Sequence, residues 1–262
     1  DLAKRQKDFA ERQKDFSERQ KEFAERQKGF ERRLQTFEKS KRDLYAKRDK
    51  KTNKYKSDTT PNSSLGIKHI PLRDFKGITV SGAISVVFSQ GESDGNAEVH
   101  GDQRALDCIY FDYNGGILDI RYNKSPGNIS TRTIVYITYP VLDRIDLSGA
   151  TSLTVQGKLQ SKTLKVNVSG ASDVNIPNVK GKTLNLTTSG ASSINVLSAE
   201  VETINAEASG ASGIKLKGVC ARSVNCSASA ASEISVTGRC NKKNSSEHSA
   251  GTVKDQGLII EN

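Results

Sequence analysis

Serine recurs in this 262-residue chain at positions 148, 169, 189, 209 and 229, each time opening a Ser-Gly-Ala or Ser-Ala-Ala block. A row of hydroxyls suggests nucleophilic chemistry, and that chemistry needs a general base within hydrogen-bond reach of one of them. The three histidines, His69, His100 and His248, fall in three separate regions, so no shared site is suggested. Glycosidase or lyase work needs a pair of carboxylates on neighbouring elements. Asp173, Glu200, Glu202, Glu207 and Glu233 stand at different places in the repeat and read as a solvated face. No phosphate-binding glycine loop, calcium-binding glycine-rich nonapeptide or Cys-x-x-Cys pair is present. The sequence therefore predicts a non-enzyme, with no catalytic residue, cofactor or metal ligand to nominate.

Two other groups of residues are candidates for chemistry. Cys220 and Cys240 lie 20 residues apart, one repeat length. If both point outward from the same column, their α-carbons stand ~4.8 Å apart, within reach of a disulfide. The expectation for an exported chain is a Cys220–Cys240 bridge, with free surface thiols as the alternative; Cys226 falls in a core column and Cys108 is unassigned. Aromatic residues are absent from 148–262 and concentrated between 72 and 140. Sugars and bases are recognised largely by stacking on aromatic platforms. Any ligand-contact region is therefore expected around Tyr110, Tyr113, Tyr122 and Tyr136, although most of these aromatics are expected to serve the core or to pair across a hairpin.

The elements that position these residues follow from the spacing. The repeated serines are 21, 20, 20 and 20 residues apart, a period that marks a solenoid. Aligned by repeat, Leu153, Val174, Ile194, Ile214 and Ile234 form one apolar column, and Val155, Ile176, Val196, Leu216 and Val236 form another two residues on. Leu164, Leu184, Ile204 and Val224, then Val166, Leu186, Ala206 and Cys226, give a second strand. Residues two apart on a strand share a face, so each pair points inward and the polar column Thr154, Asn175, Asn195, Lys215, Ser235 points out. Gly149, Gly170, Gly190 and Gly210 are expected to make a positive-φ corner, with Ala150, Ala171, Ala191, Ala211 and Ala231 tucked inside it. Flanking Ser and Thr would bond to turn backbone or to their copies one coil on. In the last coil Asn244, Ser246 and His248 are expected at core positions, as a polar cap that stops stacking.

The fold class is thus all-β: a parallel β-helix of about 20 residues per coil, with a hairpin-containing β region before it. The head spans 71–262, divided into an irregular first part (71–147), regular coils (148–248) and a C-terminal cap (249–262). The first part carries a hairpin around Asn114-Gly115-Gly116 and a strand over 131–140 closed by Pro140. Residues 45–70 are rich in Lys, Asn, Ser and Thr and read as a linker. Residues 1–44 are a heptad array with Phe9, Phe16, Phe23, Phe30 and Phe37 seven apart. A strict sevenfold repeat selects a supercoil seam, so this is an α-helical stalk able to self-associate. Gln13, Gln20 and Gln27 stand where a second apolar residue would strengthen it, which leaves a lone solvated helix as the alternative. Residues 1–57 hold 20 Lys and Arg against 11 Asp and Glu, a net of +9 out of the chain's +10. The basic character therefore belongs to the N-terminal segment, which could engage anionic surfaces; the head has no call on nucleic acid. No run of about 18 apolar residues is present to cross a membrane, and the absence of Met is consistent with a signal peptide already removed.

The segments FKGITVSGAISVVFSQGES, GDQRALD, GGILDIRYNK and YITYPVLDRIDLSGATSLTVQGKL, followed by the SGAS ladder, resemble the auto-transporter adhesin head GIN domain family over roughly 72–262. The resemblance implies a secreted or surface β-helical protein of unknown function, usually behind a signal peptide, with no catalytic residues to carry over. The sequence reading is an exported, non-enzymatic adhesin or binding scaffold, secreted, periplasmic or on the outer surface, whose partner is a surface glycan or protein and which can form a homo-oligomer through its heptads. A carbohydrate-active β-helix enzyme and an envelope component that binds anionic surfaces through the basic helix are the alternatives.

Overall fold

The computed structural model describes residues 65–129 and 131–261. The stalk at 1–44 and most of the linker lie outside them. Strand β1 (Leu65–Pro71) begins inside the segment expected to be linker; its Ile70 packs on the core, so the head starts earlier than composition indicates.

From Ser148 on, each coil runs through a corner and three faces. Face A follows the corner: β9 (Ser152–Gln156), β11 (Asp173–Ile176), β13 (Ser193–Val196), then the first parts of β15 (Gly213–Ser229), β16 (Glu233–His248) and β17 (Thr252–Ile260). Face B begins with the first part of β10 (Lys158–Val168), β12 (Asn178–Thr188) and β14 (Ala199–Ala208), and continues through β15, β16 and β17. Face C is made by the later parts of β10, β12, β14, β15 and β16. Stacking is parallel and in register, Val174 beside Ile194 and Leu184 beside Ile204. The alternating side chains therefore line up as predicted, and all of the apolar columns named above are buried. The result is an all-β solenoid of about six turns with about 20 residues per coil.

The corners follow the glycine expectation, with φ of +84° at Gly149, +75° at Gly170 and +77° at Gly190 and Gly210. Their filling does not. Ala150, Ala171, Ala191, Ala211 and Ala231 are exposed, and Thr151, Ser172, Ser192, Ser212 and Ser232 are buried instead. A corner leaves backbone carbonyls pointing inward, and a hydroxyl satisfies them where a methyl cannot. Ser192 Oγ donates to Ser189 O at 2.7 Å, and Ser212 and Ser232 repeat the bond to Ser209 O and Ser229 O at 2.7 Å.

The first part of the head departs from sequential stacking. Its strands are β2 (Gly77–Gly82), β3 (Ile84–Gln90), β4 (Asn96–Asp102), β5 (Ile109–Asn114), β6 (Ile117–Tyr122), β7 (Thr133–Tyr139) and β8 (Arg144–Gly149), with one short helix, α1 (Gln103–Cys108), capped by Asp102. On face C, β2 pairs with both β6 and β8; on face A, β3 pairs with both β7 and β9. The first coil in the chain is therefore the second in space, inserted between β6–β7 and β8–β9. Antiparallel β5 closes face C and antiparallel β4 and β1 close face A. The predicted hairpin is β5–β6. Face B starts only at β10. There the Gln90 amide acts as a strand edge, donating to Gln160 O at 2.9 Å and accepting from Gln160 N at 2.6 Å.

Between Leu216 and Val219 the repeat shortens by one residue, Lys217-Gly218 standing opposite Thr237 alone. This shift corrects the cap. Lys243, Ser245 and Glu247, not Asn244, Ser246 and His248, continue the inward columns of Val224, Cys226 and Ala228. Lys243 contacts the Asp255 carboxylate from that position.

Candidate functional site

The same shift undoes the expected disulfide. Cys220 stands opposite Arg239, and Cys240 stands opposite Ala221. Neighbouring strand positions point to opposite sides of a sheet; Cys220 is exposed on face B and Cys240 is 2% exposed in the core. All four thiols are free. Cys226 is buried as its column predicts, and burial pushes its thiol up to about 11.

The four candidate tyrosines are brought to four separate places. Tyr110, on β5, is exposed on face C, with the Arg121 guanidinium 5.3 Å from its ring centre. Tyr136, on β7, is exposed on face A and meets the His100 ring edge-on at 5.1 Å. Tyr113 lies under Arg73 at 5.7 Å and donates to Pro71 O at 3.3 Å. Tyr122 is half-buried and donates to Thr133 Oγ1 at 2.7 Å. Burial raises the phenol pKa of both Tyr113 and Tyr122. Phe75 and Phe88 are core. A single aromatic platform is not formed.

Two clusters were not legible in the sequence because they join distant segments. On face A, β1 sets His69 opposite Glu98 of β4, and the Glu98 carboxylate contacts His100. Two histidines with no sequence relationship thus flank one acid. Among the described residues, no group of three or more His, Cys, Asp or Glu is arranged to hold a metal ion. On face C, Asp112 opposes Asp119, and Asp119 and Asp146 both flank Thr79. Each acid has a guanidinium: Arg121 contacts Asp119 and lies 3.8 Å from Asp112, while Arg144 Nε is 2.5 Å from Asp146.

The remainder of face C is regular. Ser81, Ser148, Ser169, Ser189, Ser209 and Ser229 form one row, with His248 next to Ser229 at its end. Three of these hydroxyls serve the backbone: Ser169 Oγ donates to Leu147 O at 3.2 Å, Ser209 Oγ to Thr188 O at 3.5 Å and Ser229 Oγ to Ala208 O at 3.4 Å. The His248 ring bonds Ser246 at 2.8 Å, not Ser229. A hydroxyl so held, with no base beside it, is not an activated nucleophile. A second row is an amide ladder, in which Asn205 donates to Asn185, Asn225 to Asn205 and Asn244 to Asn225, each at 2.8 Å. Shallow grooves of about 210 and 310 Å³ run along these rows.

The family model described as "Putative auto-transporter adhesin, head GIN domain" matches residues 74–257. The chain belongs to that family. The match takes in the inserted first coil and the degraded last ones, so the GIN head domain is the whole solenoid rather than its regular part. Two solved structures share the fold. A "putative lipid binding protein" from Parabacteroides distasonis ATCC 8503 is 17% identical, with a TM-score of 0.60 over 74% of this chain and 97% of that one. A "putative adhesin" from Bacteroides fragilis NCTC 9343 is 18% identical, with a TM-score of 0.60 over 74% of this chain and 98% of that one. No curated protein matches. An adhesin-type family suggests an exported or cell-surface protein, and no helix among the described residues is long and apolar enough to cross a membrane.

Proposed function

We propose that this chain is a non-enzymatic surface or exported binding protein whose GIN head takes an extended ligand along face C. The observation that carries this reading is the pair of rows just described. Serine and asparagine groups recur once per coil, at a pitch of ~4.8 Å, over successive parallel strands. The interior ladder amides, Asn205 and Asn225, each spend one N–H and one lone pair on their neighbours and keep the others for a ligand. Such a surface offers many weak, identical polar contacts, and their sum favours a ligand that is itself repetitive and is held by hydrogen bonds rather than by ring stacking, a linear surface glycan before a folded protein. Among the described residues of that face, the exposed Tyr110 at its β5 end is the one place where a sugar ring could stack. Self-association through the N-terminal heptads would multiply the heads and raise avidity without new contacts. The heptads lie outside the described residues, as does the basic segment that would serve an anionic-surface reading.

The test is retention of the full chain on immobilised linear polysaccharides. Asn205→Arg is expected to weaken retention about tenfold or more, a loss of ~1.4 kcal/mol, while Lys215→Glu on face A leaves it unchanged. Equal retention of both variants and the parent would sink the face C assignment.

A carbohydrate-active enzyme is the second reading, and the Asp112, Asp119, Asp146 row favours it. Acid–base hydrolysis needs a cleft that closes over the scissile bond, whereas these carboxylates lie on a sheet face against Arg121 and Arg144. Polysaccharide cleavage abolished by Asp119→Asn would reverse the ranking.

A further inference from the structure

Face B carries a different pattern from face C. Its outward row reads Lys180, Glu200, Cys220, Arg239, Ile259 on successive strands. The charged side chains are accessible, 49% exposed at Lys180, 57% at Glu200 and 61% at Arg239. They line a shallow groove of about 350 Å³ together with Arg222 and Glu261. The signs are ordered about Cys220: acid one coil before it, base one coil after, then base two coils before and Glu261 at the far end.

We propose that face B is a homodimer interface on which a second copy docks with its coils in reverse order, the two Cys220 thiols meeting at the centre. A two-fold axis along the strand direction at Cys220 sets Glu200 opposite the second copy's Arg239, twice by symmetry. It also sets Lys180 opposite the second copy's Ile259 and Glu261. Sliding the axis by half a coil brings Lys180 onto Arg239 in one direction and Glu200 onto Glu261 in the other. Complementarity therefore selects one register, at the cost of facing the two Arg222 side chains. Exposed ion pairs contribute little each, and here they already have partners in their own chain, Lys180 with Glu200 at 2.7 Å and Arg239 with Glu261 at 4.0 Å. The charges set register and encounter rate; persistence comes from the thiols. Packed sheets are bridged by disulfides in β-sandwiches, and Cys220 is the exposed thiol among the four. The Arg239 guanidinium interacts with its sulfur.

With oxidised glutathione as oxidant, the Cys220 thiolate attacks one glutathione sulfur, breaking that S–S bond and releasing one glutathione thiolate. The second copy's Cys220 thiolate then attacks the protein sulfur of the mixed disulfide and releases the second. Two protein thiols are oxidised and one oxidised glutathione is reduced to two thiols.

The experiment follows covalent dimer in the full chain under oxidised glutathione by non-reducing electrophoresis. The parent is expected to dimerise and Cys220→Ser not to. Lys215→Cys in the Cys220→Ser background, an exposed thiol on face A, should dimerise about fivefold more slowly or worse. Glu200→Arg should slow the parent similarly, and Glu200→Arg with Arg239→Glu should recover it, since the inverted order is then kept with signs exchanged. Equal rates at Cys220 and Lys215→Cys, indifference to charge reversal, or accumulation of the glutathione mixed disulfide alone would each overturn the interface.

Discussion

Replacing Gly190 by alanine tests whether the corner, more than the strands, sets the solenoid's tolerance. Gly190 holds φ at +77°, and a β-carbon there would sit 2.8 Å from Gly170 O and 3.1 Å from Gly170 N. An alanine in that conformation costs about 1–2 kcal/mol. The contact is with backbone, and Gly170 O already accepts from Ala191 N at 2.8 Å. Relieving the clash must therefore stretch that bond, worth about 0.5–1.5 kcal/mol net. Restricting the unfolded chain returns about 0.4–1 kcal/mol. The balance is a destabilisation of roughly 0.5–3 kcal/mol, and for a head of this size a Tm lower by about 1–12 °C. Thermal unfolding of the full chain by far-ultraviolet circular dichroism measures it. Amide exchange at Ala191 and Ala211 localises it, because repeat arrays open piecewise. Ala230 provides the reciprocal case, a non-glycine residue at the same corner with φ +58°; Ala230→Gly should stabilise by about 0.5–1 kcal/mol. A Tm unchanged within about 1 °C for Gly190→Ala, or shifts of the same sign in both variants, would show that backbone conformation does not govern these corners.

Cys226 predicts an alkaline loss of stability. Its folded thiol is held up to about 11 while the unfolded thiol ionises near its ordinary value of 9.0. Between those pH values the unfolded chain sheds a proton that the folded chain keeps, so stability falls as pH rises, by on the order of 2 kcal/mol. Urea midpoints from pH 8 to 10 should drop more steeply for the parent than for Cys226→Ala, with equal slopes counting against the assignment. Under native conditions a chromogenic disulfide reagent should titrate Cys220 alone, with Cys108, Cys226 and Cys240 appearing only on denaturation; fast reaction of Cys240 would contradict the register shift at Gly218. Leu184, fully buried in the face C column, should lose about 2–5 kcal/mol on change to alanine, read by the same thermal unfolding, and a loss under about 1 kcal/mol would mean the coils collapse around the cavity.

The sequence by itself determined the regular coils. A period of 20 with alternating apolar residues leaves one economical arrangement, because parallel stacking in register is what turns Ile194, Ile214 and Ile234 into a continuous ladder. It also determined the positive-φ corner, since only glycine occupies that region without strain, and the hairpin at Asn114-Gly115-Gly116. What it did not determine follows from two properties of stacked strands. Inward pairs such as Ile78 with Val80, Leu118 with Ile120 and Ile145 with Leu147 are interchangeable as neighbours, so nothing local reveals that the first coil is inserted between later ones. That insertion is what sets Thr79 of the first coil between Asp119 and Asp146 on face C, while β1 carries His69 to Glu98 on face A. Strand side chains have a period of two, so a single missing residue exchanges inside for outside. One shortened coil beside Gly218 therefore separated Cys220 from Cys240, moved Lys243 into the core column and left Asn244 to extend the amide ladder. Counting repeats showed that a solenoid exists; hydrogen-bonded register decided which side of it each side chain faces, and so which residues a ligand or a second copy can reach.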